Sequence, residues 1–239
     1  MEEIMTTIIL KQSFTIKEVW IATLKLYRRV MGHVWLLAAM LGILLNVSLV
    51  GIFYVFTPNT FIATLGCILA CLICQLLDIY LVAVILHRIY VLGAGQGGKL
   101  GESLIFVNKR YSAIVICELI GYFFILLGVF FFVLPGVYMK LVFLLLQPLI
   151  LFANKSVFAA LRESFHLMQR NWWRTLITFL PLIIIVFGLT LFAANFLIRY
   201  GIWYWMLGFS ALTITFFYPL WYSLILLQFN NLQARKITS

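Results

Sequence analysis

Two acidic residues stand inside long apolar runs of this sequence, Asp78 in the run 61–87 and Glu118 in the run 111–133. A charged side chain at the centre of a membrane-crossing helix costs about 2.5 to 3.5 kcal/mol on insertion scales, so an acid in such a place has a role to fill. Both lie at a similar distance inward from the end of the run that borders basic residues. At about 1.5 Å per helical residue they share a depth of roughly 10 to 14 Å and can meet across their two helices. Two carboxylates meeting in an apolar interior do not both stay ionised, so a shared proton or a bound cation follows. Gln75, one helical turn before Asp78, is placed to donate to it. The chemistry on offer is a proton or cation site of the kind a small transporter or channel uses. The plainer alternative is that each acid is protonated, or hydrogen-bonded within the bundle, and only holds helices together.

Other residues offer less. Lys140 falls near an end of its apolar run, where a long side chain snorkels to water and acts as an anchor. Cys67, Cys71 and Cys74 share a stripe with Asp78, and Cys117 stands on the next run. Thiolates so arranged suit soft copper, but cysteine is also a small apolar residue fit for close helix packing, and the assignment is no metal and no cofactor. Asn46, Gln147 and Asn195 are isolated amides suited to bonding between helices. Pro148, Pro181 and Pro219 kink helices, and a kink beside Gln147 frees a carbonyl to line a cavity. The glycine-rich stretch Gly93-Ala94-Gly95-Gln96-Gly97-Gly98 follows a membrane helix and no strand, which makes it a linker and not a nucleotide loop. No nucleophile elbow, zinc-protease helix or phosphate loop is present in the sequence, so no enzyme is expected.

The elements that must position these residues follow from composition. Of 239 residues, 65% are hydrophobic and 10% charged, with a mean hydropathy of +1.12. A water-soluble core cannot absorb that much apolar surface, while a helix crosses a bilayer core with about 20 apolar residues. The expectation is a single all-α membrane domain over 1–239, polytopic, with transmembrane helices at about 31–56, 61–87, 111–133, 137–153, 175–197 and 203–229. Thr57-Pro58-Asn59-Thr60, Leu134-Pro135-Gly136 and the stretch from Ile198 to Ile202 read as tight turns on one side of the membrane. The N-terminal segment, 88–110, 154–174 and the C-terminal tail lie on the other. The N-terminus begins with acids and lacks a cleavable signal, so the first helix is expected to direct insertion.

Lysines and arginines choose the side. The net charge is +10, and nearly all of the 17 basic residues fall on the long-loop side, which the positive-inside rule makes cytoplasmic. They sit in short clusters at the ends of apolar runs and form no stripe for nucleic acid. Two amphipathic helices are expected on the cytoplasmic surface. The first, about 14–29, opens with Thr15 and Glu18 at capping-box spacing and Phe14 and Val19 placed as a staple. It sets Ile16, Val19, Trp20, Thr23, Leu24 and Tyr27 against Lys17, Lys25 and Arg28. The second, about 156–170, sets Phe158, Leu161, Phe165 and Met168 against Arg162, Glu163, His166, Gln169 and Arg170. Such helices sink an apolar face into the headgroup boundary and turn basic residues to anionic lipid, with Lys17, Trp20, Lys25, Arg28, Arg162 and Arg170 as the expected contacts. A third, weaker example runs from Leu100 to Arg110. Surface segment, basic cluster and hairpin recur three times, through internal duplication or through topology alone.

The run Leu134-Pro135-Gly136-Val137-Tyr138, then Gln147-Pro148, then Val157-Phe158-Ala159-Ala160-Leu161-Arg162-Glu163-Ser164 resembles the signature of the YciC family of bacterial inner-membrane proteins. It is also similar to the membrane domain attached to some bacterial glycerophosphodiester phosphodiesterases, whose soluble catalytic domain has no counterpart in this sequence. The resemblance covers about 101–180 and implies a six-helix inner-membrane fold with no catalytic residue to carry over. The expected function is that of a non-enzymatic inner-membrane protein, termini cytoplasmic, organising lipid or partner proteins in the envelope. A homo-oligomer or another membrane subunit is the expected partner, and the alternative is the transporter or channel built on Asp78 and Glu118.

Overall fold

A computed structural model describes residues 14–55, 61–131, 133–199 and 205–238, and every regular element among them is helical. In chain order these are α1 (Ile16–Val55), α2 (Phe61–Gly93), α3 (Leu100–Asn108), α4 (Tyr111–Phe131) and α5 (Val133–Phe143). Then come α6 (Leu146–Leu151), α7 (Val157–Gln169), α8 (Trp172–Arg199) and α9 (Trp205–Thr238). Five stretches are long and apolar enough to cross a membrane: Ile16–Ser48, Ala63–Gly93, Tyr111–Phe131, Trp172–Leu197 and Trp205–Lys236. A sixth, Pro135–Leu151, is shorter. The chain is a multi-pass membrane protein.

Its surface agrees. Phe123, Leu126 and Phe130 on α4, at successive turns, all point outward, Phe130 being 85% exposed. Ile177, Ile184 and Phe192 do the same on α8. Apolar side chains on such a scale suit lipid as the solvent and not water. The protein core lies toward the end of the bundle that carries α3, α6 and α7. There Val34, Ile85, Ile114, Leu145, Leu149, Met168, Phe179 and Leu224 are buried together.

Three expectations change. The segment expected as a separate surface helix at 14–29 and the span at 31–56 form one helix, because no breaker stands between Arg28 and Val34 and Gly32 tolerates helix. The capping box is formed, Thr15 N–H donating to Glu18 Oε2 at 2.7 Å and Glu18 N–H to Thr15 Oγ1 at 3.4 Å. The face expected to enter lipid is partly turned to protein instead, with Val19 and Thr23 buried alongside Leu26 and Val30.

The fourth span is the second change. It divides at Leu144 and Leu145, where the ladder tightens as Leu144 N–H donates to the Leu141 carbonyl. Pro148 has no N–H to give the Leu144 carbonyl, which accounts for the break. The third concerns Leu134-Pro135-Gly136, which is the first turn of α5 and not a connection; proline is tolerated there because a first-turn N–H has no partner within the helix. Thr57-Pro58-Asn59-Thr60 lies outside the described residues, as does 200–204, while α8 continues through Arg199.

The expected helix at 156–170 is α7, and the weaker segment from Leu100 is α3. Their connections use the backbone angles that Gly95 (φ 78°) and Asn154 (φ 51°) supply.

Candidate functional site

A cavity of about 510 Å³ opens within the bundle, walled by α1, α2, α4, the α5–α6 break, α8 and α9. Gln75, Asp78 and Glu118, the acids and amide singled out in the sequence, all reach it. So do Tyr122, Lys140, Gln147, Tyr218 and Tyr222. The rest of the wall is apolar or aromatic, including Phe143, Phe187, Phe217 and Trp221.

Local structure explains the convergence. Asp78 lies near the middle of α2, with Gln75 one turn before it on the same face. Glu118 and Tyr122 are four residues apart on α4 and present to the same side, with Gly121 between them. A Cβ at Gly121 would stand 3.4 Å from the Leu146 side chain and 3.5 Å from that of Phe143, so glycine lets the broken helix come close to α4. The break in turn carries Leu144 and Gln147 onto the wall. On α9, Tyr218 and Tyr222 flank Pro219 and meet edge to face at 5.9 Å.

The two acids have different surroundings. Gln147 and Lys140 stand close enough to Glu118 to act on its carboxyl electrostatically. Lys140, an exposed residue, lies over the Tyr122 ring at 5.7 Å, and Gln75 lines the same wall as Tyr122. Asp78 is only 4% exposed, and neither carboxylate oxygen has a hydrogen-bond partner. Tyr218 and Tyr222 lie within electrostatic range of it. The acids therefore share a cavity but no hydrogen bond. Gln75, expected to donate to Asp78, gives it no hydrogen bond, although both face the cavity.

The sequence reading passed over several of these residues. Lys140, expected as an anchor, contributes to the wall, and Tyr122, Tyr218 and Tyr222 join it without having been singled out in the sequence. The one signal for them is the pair Tyr218 and Tyr222 at i, i+4 spacing on a proline-kinked helix. Of the amides, Asn46 joins helices by accepting from Ser210 Oγ at 3.0 Å, while Asn195 donates to Leu191 of its own helix.

The cysteines are elsewhere. Cys71 Sγ donates to the Ser48 carbonyl at 3.7 Å, and Cys117 is buried. Among the described residues no three His, Cys, Asp or Glu side chains gather as a metal site.

The expected surface contacts divide. Lys17, Lys25, Arg28, Arg162 and Arg170 are exposed. Trp20 is half-buried, its indole N–H donating to the Thr178 carbonyl at 3.1 Å, which ties α1 to α8. On α7, Ala160, Ser164, Leu167 and Met168 face the core, with Ser164 Oγ donating to the Val142 carbonyl. Phe158 points outward beside Arg162, and Phe165, exposed along one edge, meets the Phe143 ring edge to face at 5.7 Å. Glu163 is held by Lys155 at 3.2 Å and Lys236 at 2.9 Å, joining α7 to the end of α9. No family model, curated protein or solved structure matches the chain.

Proposed function

We propose that this chain is a non-enzymatic transporter of the bacterial inner membrane, with both termini cytoplasmic, that accepts a proton or monovalent cation on Asp78. One observation carries the reading: a deeply buried carboxylate with no hydrogen-bond donor faces a large cavity in the middle of a helix bundle. A group so placed is costly to the fold, and in membrane proteins such cost accompanies ion and proton pathways. The orientation rests on the basic residues, and the membrane assignment on the resemblance to the YciC family.

The test is reconstitution into liposomes loaded with a pH-sensitive dye, with a pH gradient imposed and potassium plus valinomycin present. The wild-type chain should dissipate the gradient faster than empty liposomes, and Asp78→Asn should return the rate to theirs. Equal rates for wild type and empty liposomes would remove the proposal. Reporter fusions at 155–170 should report the cytoplasm.

A second reading, organisation of anionic lipid, draws on α7. Its outward Phe158 and Phe165 stand among the exposed Arg162 and Arg170, the arrangement an interfacial helix uses.

A further inference from the structure

We infer that the cavity is built for an organic monovalent cation with an apolar body, its charge facing Asp78; this rests on the transporter reading above and names its cargo. Three observations lead there. The first is charge. Among the described residues the acids and bases on the wall are Asp78, Glu118 and Lys140, leaving one negative charge uncompensated when all three are ionised. Asp78 is the buried one of the two acids and neither of its oxygens has a donor, while Lys140 stands within charge range of Glu118, so the missing positive charge belongs at Asp78. In a low-dielectric interior that imbalance is relieved by a bound cation or a proton.

The second is size. A cavity of about 510 Å³ is in the range of roughly 300 to 1,000 Å³ that small-molecule sites occupy. A bare metal ion fills little of it and requires about six or more oxygen ligands when hard. Among the described residues no such donor set surrounds Asp78.

The third is the nature of the wall. Tyr218, Trp221 and Tyr222 stand on the same helix turns, and Phe217 and Phe187 extend the aromatic surface. Aromatic faces attract a weakly hydrated organic cation, and Trp and Tyr are the best of them. The apolar remainder suits a hydrocarbon body and offers little to a strongly hydrated ion.

The probe is radiolabelled phenyltrimethylammonium, a permanent cation carrying one aromatic ring, applied to the full chain in detergent. Wild type should bind it saturably at about one per chain. Asp78→Asn should weaken binding about tenfold or more, Tyr218→Leu severalfold, and Glu118→Gln less than threefold. Sodium at 100 times the probe concentration should not compete. On the unsubstituted chain, the probe should slow labelling of Asp78 by dicyclohexylcarbodiimide, mapped by mass spectrometry, so the inference does not depend on a variant folding.

Absent saturable binding, binding indifferent to Asp78→Asn in a folded variant, or labelling unaffected by the probe would overturn it. A chain that retains Asp78-dependent proton flux but ignores phenyltrimethylammonium defeats this inference alone. One that shows neither defeats the transporter reading as well.

Discussion

Asn46 Oδ1 accepts a hydrogen bond from Ser210 Oγ at 3.0 Å, and one turn earlier Gly42 brings α1 against the backbone of Ala211. A Cβ at Gly42 would stand 2.8 Å from the Ala211 carbonyl oxygen. That atom belongs to a helix and cannot swing aside, so the two helices must separate. Gly42→Ala should therefore destabilise the protein by about 1 to 3 kcal/mol, the usual cost of overpacking. Gly188→Ala, with nothing within 4 Å of the new carbon, should be neutral or stabilising by about 0.5 to 1 kcal/mol. Tryptophan fluorescence melts in one detergent compare the two, and equal midpoints would contradict the close crossing.

Asp78 should be a stability liability. Its carboxylate is buried without a donor, and an unsatisfied buried polar group costs about 1 to 3 kcal/mol. Asp78→Leu should raise the melting midpoint while removing cation and proton handling, the trade expected where function keeps a strained group. Asn46→Leu, which strips the Ser210 hydroxyl of its acceptor, should lower the midpoint in the same assay. A midpoint for Asp78→Leu at or below wild type would mean that the carboxyl is better satisfied than its surroundings indicate.

The spans were legible because lipid demands long apolar runs, and such runs appear directly in a sequence. The union of the 14–29 segment with the first span was not. Arg28 and Arg29 mark an interface by charge, yet backbone continuity depends on breakers, and none is present. The division of the fourth span was half visible, since Pro148 announces a missing donor but not that the helix will part at Leu144 and Leu145. At the site, Asp78 and Glu118 stood out because ionisable groups are rare in lipid. Tyr122, Tyr218 and Tyr222 did not, because a tyrosine in a membrane helix has the same composition whether it faces lipid, a neighbour or a cavity. The unequal surroundings of the acids depend on Gln147 and Lys140 arriving from a different helix, a tertiary fact with no local signature.

Acid should loosen α7 from the end of α9. Burial works against the charged form of Glu163, but its hydrogen bonds and charge contacts with Lys236 and Lys155 outweigh this and hold the carboxyl below the usual range. A folded value below the unfolded one contributes stability above the unfolded value of about 4.3, and that contribution is lost as pH falls through the lowered value. Hydrogen exchange in α7, corrected for its intrinsic pH dependence, should stay level above about pH 5 and rise on stronger acidification. Glu163→Gln should exchange faster at neutral pH and lose the step. A step that survives in Glu163→Gln would assign the acid response to another group.

The outward side of α7 predicts where the helix rests. Phe158 is 80% exposed and Phe165 is exposed on the same side, while Ser164 and Met168 hold the opposite side to the core. Exposed phenylalanines beside Arg162 and Arg170 belong about 5 to 10 Å into the headgroup boundary of an anionic leaflet. A spin label at position 158 should be accessible to oxygen and shielded from a water-soluble nickel reagent, and a label at position 162 should show the reverse. Both differences should shrink when the liposomes lack anionic lipid, because the basic residues then lose part of the attraction that seats the helix. Equal nickel access at 158 and 162 in anionic liposomes would place α7 off the membrane and leave its aromatic side for a protein partner.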